Sequence, residues 1–258
     1  MKKTILILLT FIGIATNLKG LNNIGIDTTP LNSGNKKALS TDVFVVSNRV
    51  IINQNKTTTV LNKVKDSITF DYMTACGSSM DSLKINRTDS TDFITKMSSM
   101  EGNWLVFVHG DAKTLEQSII RGLKIKELYD VNVLVFSWPS KDPSLSGVKN
   151  FKTSQSHVNE SLGHFIQLLK FVQSFKEKGL ANGKKQKVSL LFHSLGNLYM
   201  ELMIKNNLQK GLPNNLFSNL ILNAAAVNQE KHKNWVEKIK IQDKLYITSN
   251  KSDFNLKG

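Results

Sequence analysis

The stretch Val188-Ser189-Leu190-Leu191-Phe192-His193-Ser194-Leu195-Gly196-Asn197 constrains this chain more than any other. Val188 to Phe192 is an apolar run interrupted only by Ser189, the pattern of a parallel strand covered on both faces. A helical pattern, Leu198, Leu202 and Met203, begins almost at once after it. A strand that turns so abruptly into a helix brings the two backbones nearly into contact two residues past the apex. Gly196 supplies the missing volume there. Ser194 is then the apex, exposed above a sheet.

A turn of this kind is a nucleophile elbow, in which the serine oxygen faces a pocket and the amide of the next residue, Leu195, is aimed at a developing oxyanion. The usual first glycine of the motif is absent, and Phe192 stands in its place. The same residues therefore also fit a plainer structure, a strand followed by a Ser helix cap and a small packing residue.

The chain has 258 residues, 40% of them hydrophobic, enough for one sizeable domain with a buried sheet. Met1-Lys2-Lys3 and the apolar run Ile5 to Ala15, with small residues at Gly13 and Ala15, have the form of a secretory signal peptide over residues 1–15. The run is short for a bilayer span. Export to the periplasm or the medium is expected, with an uncleaved anchor as the rival. Residues 16–41, rich in Asn, Thr, Gly and Lys, read as a flexible lead-in, and the domain as residues 42–258.

Cys76 is the only cysteine, which rules out an internal disulfide and a Cys-based zinc site. The balance of 34 Lys plus Arg against 20 Asp plus Glu gives a net charge of +14, densest at Lys184-Lys185-Gln186-Lys187. Such charge suits anionic surfaces. The lysines are scattered, however, and no helix-turn-helix, zinc-finger or aromatic RNA-binding signature accompanies them, so no specific nucleic-acid partner is expected. The charge is read as a solvated surface, compatible with weak contact to an anionic membrane.

Taken in order, Val43 to Ser47 is the first expected strand and Ser67 to Met73 a second. Residues 76–102 are polar, with a helical pattern near Phe93 to Met97. Trp104 to Val108 is a buried strand ending in His109-Gly110. Thr114 and Gln117 form a capping box for a helix whose apolar positions are Leu115, Ile119, Leu123 and Leu128. A strand over Val131 to Ser137 leads to Trp138-Pro139-Ser140 and a loop reaching about Asn150. One long amphipathic helix carrying Val158, Leu162, Phe165, Ile166, Leu169 and Val172 follows. After the Ser194 helix come a strand at Phe217 to Leu222, a helix at Lys231 to Lys240 and a strand at Lys244 to Ser249. Such alternation implies a mostly parallel sheet with helices on both faces and ligands at the carboxyl ends of the strands. No Gly-rich phosphate loop follows any strand, which disfavours nucleotide binding.

With His109-Gly110 after one strand, Phe136-Ser137-Trp138-Pro139-Ser140 after the next and His193-Ser194-Leu195-Gly196-Asn197 after the third, the chain resembles the bacterial alpha/beta hydrolases of unknown function. The opening Val43-Phe44-Val45-Val46-Ser47-Asn48-Arg49 is similar to that family's first strand, and the likeness spans about residues 42–256. The resemblance implies an alpha/beta-hydrolase fold. It also implies a serine hydrolase acting on a small-molecule or lipid acyl bond, with Ser194 as nucleophile, a histidine as base, a carboxylate orienting it, and no cofactor or metal. The oxyanion hole would use the amide of Leu195 and one from Asp111 or Ala112. A carboxylate at Asp111 would oppose an oxyanion unless it points elsewhere.

In such hydrolases the order is Ser, acid, His, with the histidine after the last strand. Asp253, four residues beyond Ser249, is the candidate acid, and a turn residue is its alternative. Only Phe254 to Gly258 follow it, too few for another strand and a histidine. His109 reads as part of its loop rather than as the base, and His193 as a packing or hydrogen-bonding residue. His157, His164 and His232 read as surface residues, the first two, seven apart with no matching carboxylate, forming only a weak metal candidate. Two outcomes stay open: a shortened hydrolase lacking the last strand, or a hydrolase-like protein that binds an anionic or lipidic ligand without cleaving it.

Overall fold

The computed structural model describes residues 42–54, 57–227 and 232–248. The expected signal peptide and lead-in lie outside them, as does Asp253. Strand β1, Val43–Ser47, is buried at every position. A hairpin, β2 at Arg49–Gln54 and β3 at Thr57–Val64, follows as a separate two-stranded sheet. Next come β4 at Asp71–Cys76, β5 at Lys84–Thr88 and helix α1 at Ser90–Ser99.

From there strands and helices alternate as expected. They are β6 at Trp104–Val108, α2 at Leu115–Tyr129, β7 at Asn132–Ser137, α3 at Gly147–Glu160 and α4 at Leu162–Ala181. Strand β8 at Val188–His193, a single 3-10 turn at Ser194–Gly196, α5 at Asn197–Lys205, β9 at Phe217–Asn223, α6 at His232–Val236 and β10 at Gln242–Thr248 complete the order. The main sheet has eight strands in the order β10-β9-β8-β6-β7-β1-β4-β5, parallel from β10 through β1 and antiparallel at β4 and β5.

Neighbouring side chains along each central strand go to opposite faces. Phe44, Val46, Val106, Val108, Leu134, Phe136, Leu190 and Phe192 enter one core with α4 and α5, whereas Val43, Val45, Phe107, Val133 and Val135 pack on Leu115, Ile119 and Leu123 of α2. Burying a side chain of this size contributes about 1.5–3 kcal/mol, so covering both faces is what holds the central strands together. Parallel register then aligns their carboxyl ends. Val108 lies opposite both Phe136 and Phe192, Ser137 opposite Ser47, His193 opposite Asn223, and Asn223 opposite Thr248. The loops after β6, β7 and β8 consequently leave the sheet side by side.

Four expectations need correction. The expected long helix is two helices, because Ser161 breaks it: its hydroxyl bonds back to the His157 carbonyl and also meets the Tyr199 hydroxyl. The second strand starts at Asp71, not Ser67. Leu128, placed on the apolar face of α2, is 56% exposed, because at about 3.6 residues per turn it lies roughly 140° round the helix from Leu123, and Lys126 takes the buried position in that turn. His157 and His164 are buried rather than on the surface, bonded to the carbonyls of Pro139 at 3.1 Å and Ser67 at 2.9 Å.

Candidate active site

Ser194 has φ +52°, the left-handed region that a side chain occupies only at a cost of about 1–2 kcal/mol. The strain persists because both flanks are fixed. Phe192 is buried in the core before the turn, and Leu195 in the same core after it. Asn197, fully buried, donates to the carbonyls of Ser194 at 2.8 Å and Asn223 at 3.1 Å, tying the turn to the end of β9.

Two glycines let the turn sit directly on the neighbouring loop. A Cβ on Gly196 would lie 2.6 Å from the His109 carbonyl oxygen and 2.9 Å from that of Val108. One on Gly110 would lie 2.8 Å from the Ser194 Cβ. The first contact is the close approach expected of Gly196. The second brings His109-Gly110 beside the serine and leaves no room between them for a larger residue.

His109 is a wall of this site, locked in place. Its Nδ1–H donates to the Gly110 carbonyl at 2.8 Å and its Nε2 accepts from the Trp138 amide at 3.1 Å, which sets the tautomer and engages both nitrogens. The ring stacks on Trp138, centroids 5.2 Å apart and planes 4° apart, and the Trp138 indole donates to the His109 carbonyl at 3.0 Å. Burial, and after it the Arg49 guanidinium, holds this imidazole well below its ordinary value, so it stays neutral.

The loop from Gly110 to Thr114 is stitched to the loop after β7. The Ala112 amide donates to the Ser140 carbonyl at 2.8 Å, which removes it from the pair of candidate oxyanion donors and leaves that of Asp111. The Asp111 carboxylate accepts from the Asn150 side chain at 2.9 Å. That bond supplies the partner that the sequence left unidentified. Asn150, buried at the start of α3, also donates to the Ser140 carbonyl at 3.0 Å and accepts from the Asp142 amide at 2.7 Å.

On the far side of the serine, His193 Nδ1 meets Asn223 Oδ1 at 2.8 Å, and Asn223 Nδ2 donates to the Thr248 hydroxyl at 2.7 Å. Polar side chains thus link the ends of β8, β9 and β10. Cations gather around the Gly110 loop: the half-buried Lys113 ammonium is held below its ordinary value by burial, then by Arg121 and Lys141. A cavity of about 260 Å³ bordered by Ile204, Lys205, Asn234, Trp235 and Lys238 lies at the other end of α5. At 1.5 Å per residue, that helix separates it from Ser194 by about 13 Å. Among the described residues no group of three His, Cys, Asp or Glu side chains is set to hold a metal ion.

Arg49 was legible in the sequence only as the end of a strand-like motif. In the structure it is 2% exposed beneath the Gly110 loop.

A mostly parallel sheet with helices on both faces, and a strained serine between strand and helix at its carboxyl edge, is the architecture of an alpha/beta hydrolase. The chain belongs to the family of alpha/beta hydrolases of unknown function, which matches it over residues 85–257. No curated protein and no solved structure matches it.

Proposed function

We propose that the protein is an exported serine hydrolase that cleaves an ester or similar acyl bond through Ser194. The observation that carries this reading is the strained φ of Ser194 at a strand-to-helix turn packed against Gly110. Strain of this kind is retained where the fold needs the side chain in one place. The Ser194 hydroxyl attacks the acyl carbon as its proton passes to a base. The carbonyl oxygen becomes an oxyanion held by the amides of Leu195 and Asp111. The alcohol then leaves with a proton, and water hydrolyses the acyl-serine. Asp253 is the proposed acid. Export is proposed from the basic start and apolar run of residues 1–15.

A fluorophosphonate probe tests the serine. The folded protein is expected to take one label, and Ser194→Ala none. A folded wild-type chain that takes no label overturns the reading. A second reading, binding of an anionic or lipidic ligand without turnover, draws on two observations: His109 has both ring nitrogens engaged, and Arg121 and Lys141 both bear on the Lys113 ammonium. That reading predicts affinity for anionic lipid vesicles that survives Ser194→Ala.

A further inference from the structure

Resting on the reading of Ser194 as nucleophile, we infer that Arg49 is a positioning residue that braces the loop carrying the Asp111 amide. Its Nε donates to the Ser137 hydroxyl at 3.1 Å, and its Nη2 to the Lys113 carbonyl at 2.9 Å. These are ends of different elements: Ser137 closes β7, and Lys113 is the last loop residue before the cap of α2. Ser137 is held in turn by Ser118 of α2 at 3.0 Å. The Lys113 carbonyl also accepts from the Ser140 hydroxyl at 3.1 Å, so both of its lone pairs are used.

The fork of a guanidinium suits this task. Two donors in a fixed plane span two acceptors at once, which the single head of a lysine cannot do. Burying the cation is costly, since among the described residues no carboxylate comes within ion-pair distance of it. Burial lowers its pKa to about 9, with Glu116 and then Tyr199 acting in the opposite direction. A hydroxyl and a carbonyl could be joined more cheaply by a neutral side chain. The cation is kept because its fork fixes the exit of the Gly110 loop two residues from Asp111, and so fixes where that amide points.

Arg49→Met and Arg49→Lys test this in the full chain, with amide hydrogen exchange and fluorophosphonate labelling read well below the melting temperature. In Arg49→Met, exchange is expected to rise at least several-fold in residues 110–113 and to stay unchanged in β6. Labelling of Ser194 should slow by about 10²-fold, the scale of a misplacement of about 1 Å. Arg49→Lys can reach one acceptor but not span both, so it should fall between wild type and Arg49→Met; it also serves as the test if Arg49→Met does not fold. Unchanged exchange at residues 110–113 overturns the brace. Faster exchange with unchanged labelling overturns its link to the serine. Faster exchange in a chain whose wild type does not label upholds the brace and removes the nucleophile instead.

Discussion

At the end of β6 the chain crosses His109 to Thr114 into α2, and one strand away, at the end of β8, it crosses Ser194 directly into α5. Each turn holds a residue in the left-handed region, Ala112 at φ +54° and Ser194 at φ +52°. The first turn is tied down by its own cap and by the loop after β7. Thr114 and Gln117 cap α2 reciprocally, Ala112 bonds to Ser140, and His109 is engaged on both nitrogens. The second turn has no side-chain cap, and its amides enter the helix through a 3-10 turn. A helix start left uncapped keeps donors and partial positive charge for a partner that is not its own side chain. The two turns reach the same left-handed backbone by different means: one is held by its cap and the loop after β7, the other by the packing of Phe192 and Leu195 and by Asn197.

The strongest test of the comparison is Gly196→Ala. A methyl against the backbone oxygens of His109 and Val108 must push the turns apart, and the expected loss is about 3 kcal/mol in urea denaturation. A loss near zero would mean that the two loops are not in forced contact.

Smaller is the effect of pH on His109. Its folded pKa lies below the ordinary 6.5, so the unfolded chain takes up the proton first as the pH falls. The stability it contributes is full above about pH 6.5 and declines below it, by up to about 1.4 kcal/mol per pH unit. Melting temperatures should be flat at neutral pH and fall on acidification, with His164 and His232, also held below their ordinary value by burial, adding to the decline. If His109→Asn keeps the same slope near pH 6, His109 is not the locked neutral group described above. The smallest effect is that of Thr114→Ala, about 1 kcal/mol from loss of the capping box, measured the same way.

What was legible in the sequence was local. The Ser194 turn, the Thr114 to Gln117 box and the strand at Trp104 each depend on residues within a few positions, although the Ser194 pattern, with Phe192 in place of the first glycine, also fits a plain helix cap. The hairpin Arg49 to Val64 was missed because Thr57, Thr58 and Thr59 are exposed and offer no apolar alternation. The edge strand β5 was missed because Lys-Ile-Asn-Arg-Thr has a single apolar residue. The break at Ser161 was hidden by apolar spacing that runs on from Val158 through Leu162 to Phe165. In the site itself, the direction of the Asp111 carboxylate depends on Asn150 and the burial of Arg49 on Lys113 and Ser137. Such partners are 39, 64 and 88 residues away, beyond any pattern within a short window.

Those separations also bear on how the molecule comes into being. Strand β1 is first among the described strands in the sequence, yet it lies inside the sheet, between β7 and β4. Arg49, just after it, cannot find its acceptors until the chain has been made through Ser137, and β6 cannot gain its other neighbour until β8 exists. Contacts of such range close slowly, after local helices have formed. The turn at Ser194 and the loop beside it are therefore among the last parts to be assembled. A partly folded chain would hold Ser194 in a pliable turn, and the left-handed backbone there would arrive together with the completed sheet.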